Sequence, residues 1–75
     1  MQNPNEYAVV IEATATGYSV YVPDLPGCVT VGESHEEALE MIVEAIEMHI
    51  QSLREHGEAV PPPSTLVGQV SVHAA

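Results

Sequence analysis

Apolar and polar residues alternate through the first third of the chain, a period of two that is typical of half-buried β-strands. The alternation predicts a first strand over residues 6–14 and a second over 18–22, joined at Gly17 in a hairpin. The second strand ends at Pro23, because proline has no amide hydrogen for the ladder. A third, shorter strand is predicted over 29–32. Together these segments indicate an antiparallel meander.

The residues after the second strand specify a tight turn and a helix start. Leu25–Cys28 has proline second and glycine third, which predicts a type II β-turn because glycine accepts the positive φ of that position. Gly32 ends the third strand. Ser34 and Glu37 then form a capping box, in which the two side chains bind free amides at the helix N-terminus. We therefore predict that a helix begins at about His35.

From there to about His56, apolar residues recur at helical spacing on one side of the predicted helix. This apolar face, which a sheet should cover, comprises Ala38, Leu39, Ile42, Val43, Ala45, Ile46, His49, Ile50 and Leu53. The opposite side is a continuous arc of Glu36, Glu37, Glu40, Glu44, Glu47, Gln51, Arg54 and Glu55. Its first five residues, Glu36, Glu37, Glu40, Glu44 and Glu47, are here termed the acidic stripe. Met41 and Met48 flank the stripe one heptad apart, so we expect them to be partly exposed or to contact another chain. Gly57 suits a left-handed helix end.

The remaining segments complete the predicted domain. Residues 1–5 are expected to fray, and the prolines within 58–64 should form a stiff strap. Residues 65–72 alternate again and predict a fourth strand. The sequence therefore predicts a single α+β domain over 1–75, with βββαβ order and one long helix on a four-stranded sheet. A last strand parallel to the first, reached by a right-handed crossover, gives the two-layer domain the sheet order 3-2-1-4.

The net charge of the chain limits the kinds of molecule that it can bind. The 75 residues hold eleven acids against Arg54 alone, for a formal net charge of −10. A chain with one cationic side chain cannot neutralise phosphates, so direct binding to DNA or RNA is not expected. The imbalance favours a basic protein partner through complementary fields. It also keeps a small domain soluble, and charge alone favours that simpler interpretation.

Chain length and cysteine content limit the expected oligomeric state, disulfide bonding and location of the protein. A domain this small buries a limited fraction of its surface, so we expect a homodimer or a higher oligomer. Cys28 is the only cysteine, which excludes an internal disulfide, and it fits a small buried apolar residue better than a reactive thiol. No apolar run approaches the roughly 20 residues that span a membrane. The N-terminus has no signal-peptide pattern, so a cytoplasmic location is expected.

Catalysis is not expected from the distribution of acids and histidines. A two-metal nuclease centre needs several converging carboxylates, whereas Glu12 is the only acid within a predicted strand. The histidines and the cysteine show neither CxxC nor HxxxH spacing. His49 and His56 lie two helical turns apart, about 10 Å, which is too far to share one metal ion. We therefore expect no enzyme activity, no metal and no cofactor.

The segment from the second strand to the helix start resembles the HicB-like antitoxin family. The run typical of that family is a strand, Asp-x-Pro-Gly-Cys, a short strand, Gly-x-Ser/Thr and a helix that opens with Glu-Glu-Ala. The corresponding residues are Asp24, Pro26, Gly27, Cys28, Gly32, Ser34, Glu36, Glu37 and Ala38. The run Gly-x-x-Ile-Pro-x-Pro-Ser, which follows the helix in that family, is similar to Gly57, Val60, Pro61, Pro63 and Ser64. The resemblance implies a partial ribonuclease H-like fold.

The same resemblance implies the antitoxin of a type II toxin-antitoxin pair. Its partner would be a small, basic, HicA-like ribonuclease that cleaves messenger RNA through a histidine. The antitoxin would mask the RNA surface by presenting carboxylates where phosphates would lie. The residues expected to contact the toxin are Asp24, Glu36, Glu37, Glu40, Met41, Glu44, Glu47 and Met48. By contrast, fold specification explains Pro26, Gly27, Cys28, Gly32 and Ser34.

Three further points qualify what the resemblance implies. Asp24 has a local explanation, because an aspartate before a turn binds its own downstream backbone. Many members of the family continue into a C-terminal DNA-binding domain, whereas this sequence ends at Ala75, so operator binding is not carried over. The alternative function is a HicB-like module without a toxin, which oligomerises through its last strand or through the bare sheet face around Val10 and Tyr21.

Overall fold

Three strands and one helix make up the fold in the computed structural model, which describes residues 5–74. The elements are β1 (Val10–Ala13), β2 (Tyr18–Tyr21), β3 (Val29–Gly32) and α1 (His35–Glu55). The α+β class and the βββα part of the predicted order are therefore confirmed. The expected fraying over 1–5 lies almost entirely outside the described residues.

β2 is the central strand of an antiparallel sheet in the order β1-β2-β3. The register places Val10 opposite Tyr21, and Tyr21 opposite Val29, so the predicted meander is confirmed. β1 is shorter than the predicted 6–14, since pairing with β2 covers Val10–Ala13 alone. On the face away from α1, Tyr21 and Val29 are exposed and Val10 is half-buried.

The turn between β2 and β3 has the predicted geometry. The amide of Cys28 donates to the carbonyl of Leu25 at 3.0 Å, and Gly27 has a φ of 85°, which together define a type II turn. Gly32 serves a second purpose at the end of β3. A Cβ atom there would lie 2.6 Å from the backbone nitrogen of Ala38, so glycine allows α1 to approach the strand closely.

The helix ends in a Schellman motif, in which a left-handed glycine lets two further amides bind the last turn. Gly57 has a φ of 69°, and its amide donates to the carbonyl of Arg54 at 3.1 Å. The amide of Glu58 donates to the carbonyl of Leu53 at 2.9 Å. The predicted stop at this glycine is confirmed, and α1 itself ends at Glu55, one residue earlier than expected.

The core is small and lies where α1 packs against β2 and β3. Its buried members are Val20, Val22, Leu25, Cys28, Ala38 and Ile42. The expectation that the sheet covers the whole apolar face of α1 is wrong for one edge. Leu39 and Val43 are 37% and 54% exposed, because the apolar face of the helix is wider than the three strands beneath it.

The predicted fourth strand over 65–72, and with it the order 3-2-1-4, is not formed within residues 5–74 of the single chain. Residues 58–74 contain neither helix nor strand. The strap crosses the end of the sheet instead, where the hydroxyl of Tyr7 donates to the carbonyl of Pro61 at 2.5 Å. The chain is thereby led past β1 rather than alongside it. The apolar residues that follow, Leu66, Val67, Val70 and Val72, are between 77% and 88% exposed.

Candidate partner-binding surface

The acidic stripe begins at a helix start that is fixed by reciprocal hydrogen bonds. The Ser34 hydroxyl accepts from the Glu37 amide at 3.1 Å. The Glu37 carboxylate accepts from the Glu33 amide at 3.0 Å, one residue earlier than in the usual capping box. Glu36 and Glu37 also lie in the first helical turn, where the positive end of the helix dipole favours negative charge. The predicted cap is confirmed, and it sets where the stripe starts.

All five carboxylates of the acidic stripe are exposed. Their spacing of three and four residues places them on one side of α1, where like charges repel by a few tenths of a kcal/mol per pair. Met41 and Met48 are 41% and 69% exposed, in agreement with the expectation that the sheet does not reach them. The stripe and its two methionines extend over residues 36–48 of α1, and the charged side chains of the stripe are all negative, whereas Arg54 lies further along the same side of the helix.

Asp24 makes a long-range contact that local sequence rules did not predict. One carboxylate oxygen accepts from the amides of Ser64 and Thr65 at 2.9 and 3.0 Å. The other accepts from the hydroxyls of the same two residues at 2.9 and 2.8 Å. These four bonds, here termed the Asp24 clamp, replace the expected bond to the backbone just downstream. No periodicity or spacing marks residues 40 positions apart as partners, so sequence reasoning missed them.

The donors of the clamp stabilise the charged carboxylate. The Thr65 amide, then the Ser64 amide and the Thr65 hydroxyl, lower the pKa of Asp24 from 3.8 to about 2. Topology separates the clamp from the acidic stripe. β2 ends at the clamp, whereas β3 runs to the opposite end of the sheet before α1 starts. The structure therefore does not bring Asp24 together with Glu36 and Glu37.

An apolar groove, termed the side groove, was also not anticipated from the sequence. It has a volume of about 650 Å³ and lies between α1 and the segment that precedes β1. Its apolar lining includes Tyr7, Val9, Leu39, Val43 and Ile46. The charged residues Glu6, Glu47 and Arg54 also line it. The signal that could have revealed it is the width of the apolar face of α1, which extends beyond what three strands can cover.

The described residues offer little other chemistry. Burial raises the pKa of the Cys28 thiol, which disfavours the reactive thiolate and agrees with its interpretation as a core residue. Within residues 5–74, no group of three or more His, Cys, Asp or Glu side chains is arranged to hold a metal ion. Glu12 lies exposed on β1. The surface features of interest are therefore the acidic stripe, the Asp24 clamp and the side groove.

Comparison with known protein families assigns the chain to a family. The family model described as HicB_like antitoxin of bacterial toxin-antitoxin system matches residues 7–73. The chain belongs to this HicB-like antitoxin family. The match spans the meander, the helix, the strap and most of the segment after it, so it covers both the Asp24 clamp and the acidic stripe. The resemblance carried by the turn and the helix start is thereby confirmed.

Relatives within and around the HicB-like family agree with this assignment. A UPF0150 protein of Thermoplasma acidophilum is 43% identical over 70 residues, which cover 92% of this chain and 99% of that protein. The protein named antitoxin HicB 2 of Photorhabdus laumondii is 35% identical over 65 residues. That match covers 87% of this chain and 47% of the longer Photorhabdus protein. The HicB-like region thus occurs in relatives of very different length.

A solved structure shares the fold of this HicB-like domain. A chain of a HicA3 and HicB3 toxin-antitoxin complex superimposes with a TM-score of 0.71 and is 32% identical. The match covers 79% of this chain and 70% of that one. No helix in the described part of the chain is both long enough and apolar enough to cross a membrane.

Proposed function

We propose that this HicB-like chain binds a small basic HicA-like ribonuclease and blocks its RNA surface, with the acidic stripe as the main contact. One observation carries the proposal: five exposed carboxylates follow one side of α1 in a chain whose single basic residue is Arg54. Family membership and the likeness to a chain of a toxin-antitoxin complex support an antitoxin role. The distribution of charge supports the acidic stripe as the surface that would mask the toxin.

Electrostatics favours a basic partner at this surface. Glu36, Glu40 and Glu44 stand four residues apart, so each repels the next and the isolated helix is slightly destabilised. A cationic surface laid against them removes that repulsion and gains attraction, and complementary fields accelerate association. A toxin that grips phosphates must present clustered Lys or Arg side chains. Carboxylates spaced along a helix would compete for the same cations.

Met41 and Met48 add apolar contact to the proposed interface. Flexible thioethers adapt to an irregular partner surface, and both side chains are exposed beside the acids. Asp24 has a different part in the proposal. Four donors already occupy its two oxygens, so Asp24 would act through the strap that it positions rather than by receiving a toxin cation itself.

The experiment compares two double charge reversals of equal net charge. Glu40→Lys with Glu44→Lys alters the acidic stripe, whereas Glu12→Lys with Glu58→Lys alters exposed acids elsewhere. Each is titrated by calorimetry against a small basic HicA-like toxin, and messenger-RNA cleavage by that toxin is assayed in parallel. The stripe variant should bind at least about a hundredfold more weakly, since reversed charges at an interface cost several kcal/mol. Its ability to suppress cleavage should fall with it.

The matched variant decides between a specific surface and net charge. The Glu12 and Glu58 reversals should weaken binding by less than about tenfold, and mainly through a slower association rate. Equal losses for both variants would show that overall charge matters and the stripe does not. Unchanged binding by the stripe variant would place the toxin on another surface.

A toxin-free interaction module is the second candidate function. The exposed apolar residues after the strap favour it, because they call for a partner without involving charge. The two candidates differ in a simple observation. A neighbouring reading frame whose small basic product is toxic alone and tolerated with this chain supports the antitoxin role. The absence of such a product from the genome supports the module.

A further inference from the structure

The segment that follows the Asp24 clamp is an apolar arm, residues 66–74, that no part of its own chain covers. Leu66, Val70 and Val72 alternate with Val67 and shorter polar residues, which is the pattern of a half-buried strand. All four apolar side chains are at least 77% exposed. Within the described residues the arm pairs with no strand. A strand pattern without a sheet indicates that the sheet belongs to another chain.

The clamp explains why the arm cannot simply return to its own sheet. Tyr7 holds Pro61 near the N-terminal end of β1, and Asp24 then holds Ser64 and Thr65 just past the C-terminal end of β2. Because β1 and β2 are antiparallel, both anchors lie at the same end of the sheet. The strap thus crosses the end of the sheet from β1 to β2. The arm therefore begins beside the end of β2 and not beside the open edge of β1. To pair with its own β1, the arm would have to turn back across the end of the sheet.

β1 offers a free edge of the right kind. The amide of Thr14 donates to the carbonyl of Gly17 at 2.8 Å, which marks a hydrogen-bonded pair of the β1–β2 ladder. Since antiparallel pairs alternate, the backbone groups of Glu12 face β2. Those of Ile11 and Ala13 face outward, where the described chain provides no strand. A fourth strand could dock there through main-chain hydrogen bonds.

The side groove lies where the side chains of such a strand would enter. It borders the β1 side of the helix, and Leu39 and Val43 are exposed within it. A strand added to β1 would extend the sheet beneath this uncovered edge of α1 and bury both residues. Alternate arm residues, Leu66, Val70 and Val72, would point into the groove. The apolar face of α1 is thus wide enough to cover a sheet of four strands.

Charge and symmetry identify a second copy of this chain as the partner. Residues 59–75 contain no Asp, Glu, Lys or Arg, and β1 carries only Glu12. Two copies, each with a net charge of −10, can meet here without bringing their acidic stripes together. Each copy also has one arm and one free edge, so reciprocal exchange satisfies both and closes the assembly. The arm offers a basic toxin no carboxylate side chain with which to pair.

We infer that the arm of one copy adds as the fourth strand to β1 of a second copy, and that reciprocal exchange closes a homodimer. The arrangement restores the four-stranded sheet that the sequence pattern predicts, with the last strand supplied by the partner. It leaves Glu36, Glu37, Glu40 and Glu44 of both stripes at the surface, whereas Glu47 borders the side groove. The inference does not depend on the proposed toxin-binding function.

Sedimentation analysis of matched variants tests the dimer. The full chain should sediment as a dimer, and a chain that ends after Thr65, which keeps the clamp, should be a monomer with unchanged helical circular dichroism. Val70→Asp should weaken dimerisation by at least about tenfold, since it would bury an unpaired charge. Ser71→Asp, on the opposite face of the arm, should have a much smaller effect. A monomeric full chain, or a dimer that survives truncation, would overturn the inference.

Amide hydrogen exchange locates the contact. In the full chain at dimer-forming concentration, the Ile11 amide should be protected, and the truncated chain should lose that protection. The Glu12 amide, which faces β2, should be protected in both chains and reports that the hairpin stays folded. A dimer with an unprotected Ile11 amide would mean that the arms pair with each other or use the bare sheet face, and the inference would be wrong. So would an arm that becomes ordered only when a basic toxin is added.

Discussion

Residues 18–38 and residues 58–74 are both rich in turn and strand signals, yet they fold by different means. In the first segment every device acts within a few residues: the Leu25 to Cys28 turn closes one bond, and Ser34 caps the helix that follows. The second segment has no regular structure and depends on Asp24, 40 residues away. The first segment is therefore set by its own sequence, and the second by what it touches.

The contrast also appears in burial. The first segment supplies five of the six buried core residues, including Val20 and Leu25, and Ile42 of the adjoining helix completes the core. The second supplies none of them, although it contains five Val and Leu side chains. Apolar composition alone thus does not decide which part of a small domain forms its core. Proximity in sequence to the turn and the cap decides it here.

The largest expected difference follows from shortening one aliphatic side chain on each side of this contrast. Ile42→Ala, at 2% exposure, should lower the free energy of unfolding by about 2–5 kcal/mol. Val72→Ala, at 77% exposure, should change it by less than about 0.5 kcal/mol. Urea unfolding at a protein concentration that keeps the chain monomeric measures both. Equal losses would mean that the arm belongs to the monomer core after all.

A smaller effect is expected from breaking the Asp24 clamp. Asp24→Asn puts an amide nitrogen where one oxygen now accepts two donors, so Ser64 and Thr65 should lose amide protection while Val20 keeps it. Glu58→Gln is the control, because it neutralises an acid of the same segment and leaves the clamp intact. Loss of protection at Val20 in the Asn variant would show that the two segments unfold together.

Acid should open the same clamp in the unmodified chain. The folded-state pKa of Asp24, about 2, lies below its ordinary value of 3.8, so the clamp stabilises the fold fully above pH 3.8. That stabilisation is lost as the pH falls through about 2. The amide resonances of Ser64 and Thr65 should follow this titration in NMR spectra, and they should not do so in the Asn variant. A midpoint near 3.8 would mean that the clamp does not hold in solution.

The smallest effect concerns the acidic stripe, which begins inside the first segment. Glu40→Gln removes repulsion from Glu36 and Glu44, so it should stabilise the chain by a few tenths of a kcal/mol at low salt. The gain should vanish in 1 M salt, where charges are screened within about 3 Å. Glu12→Gln, on a strand edge without helical neighbours, should give no such gain. A salt-independent effect would point to packing rather than charge.

Local chemistry made most of the first segment predictable. Glycine at the third turn position and serine three residues before glutamate are signals read over four residues, and both gave the observed geometry. The Asp24 clamp gave no such signal, because its partners are fixed by where the strap crosses the sheet. The arm shows the remaining limit. Its period of two was sufficient to predict a strand, but periodicity does not specify which sheet a strand joins.

The candidate binding surface likewise has one part that local sequence patterns predicted and one part that they did not. The exposure of the acidic stripe and of Met48 could be predicted, since helical spacing alone separates the two sides of α1. The side groove was not predicted, because the width of the apolar face of α1 reveals it only when the sheet has three strands and not the expected four.

The Asp24 clamp also marks the C-terminal end of the part of the chain that folds cooperatively. Four hydrogen bonds join residues 64 and 65 to residue 24, and everything beyond them is outside the core. Length changes, substitutions or fused domains after Thr65 should therefore be tolerated without unfolding what precedes it. Such a boundary lets the tail of the chain diversify while the turn, the cap and the acidic helix stay the same.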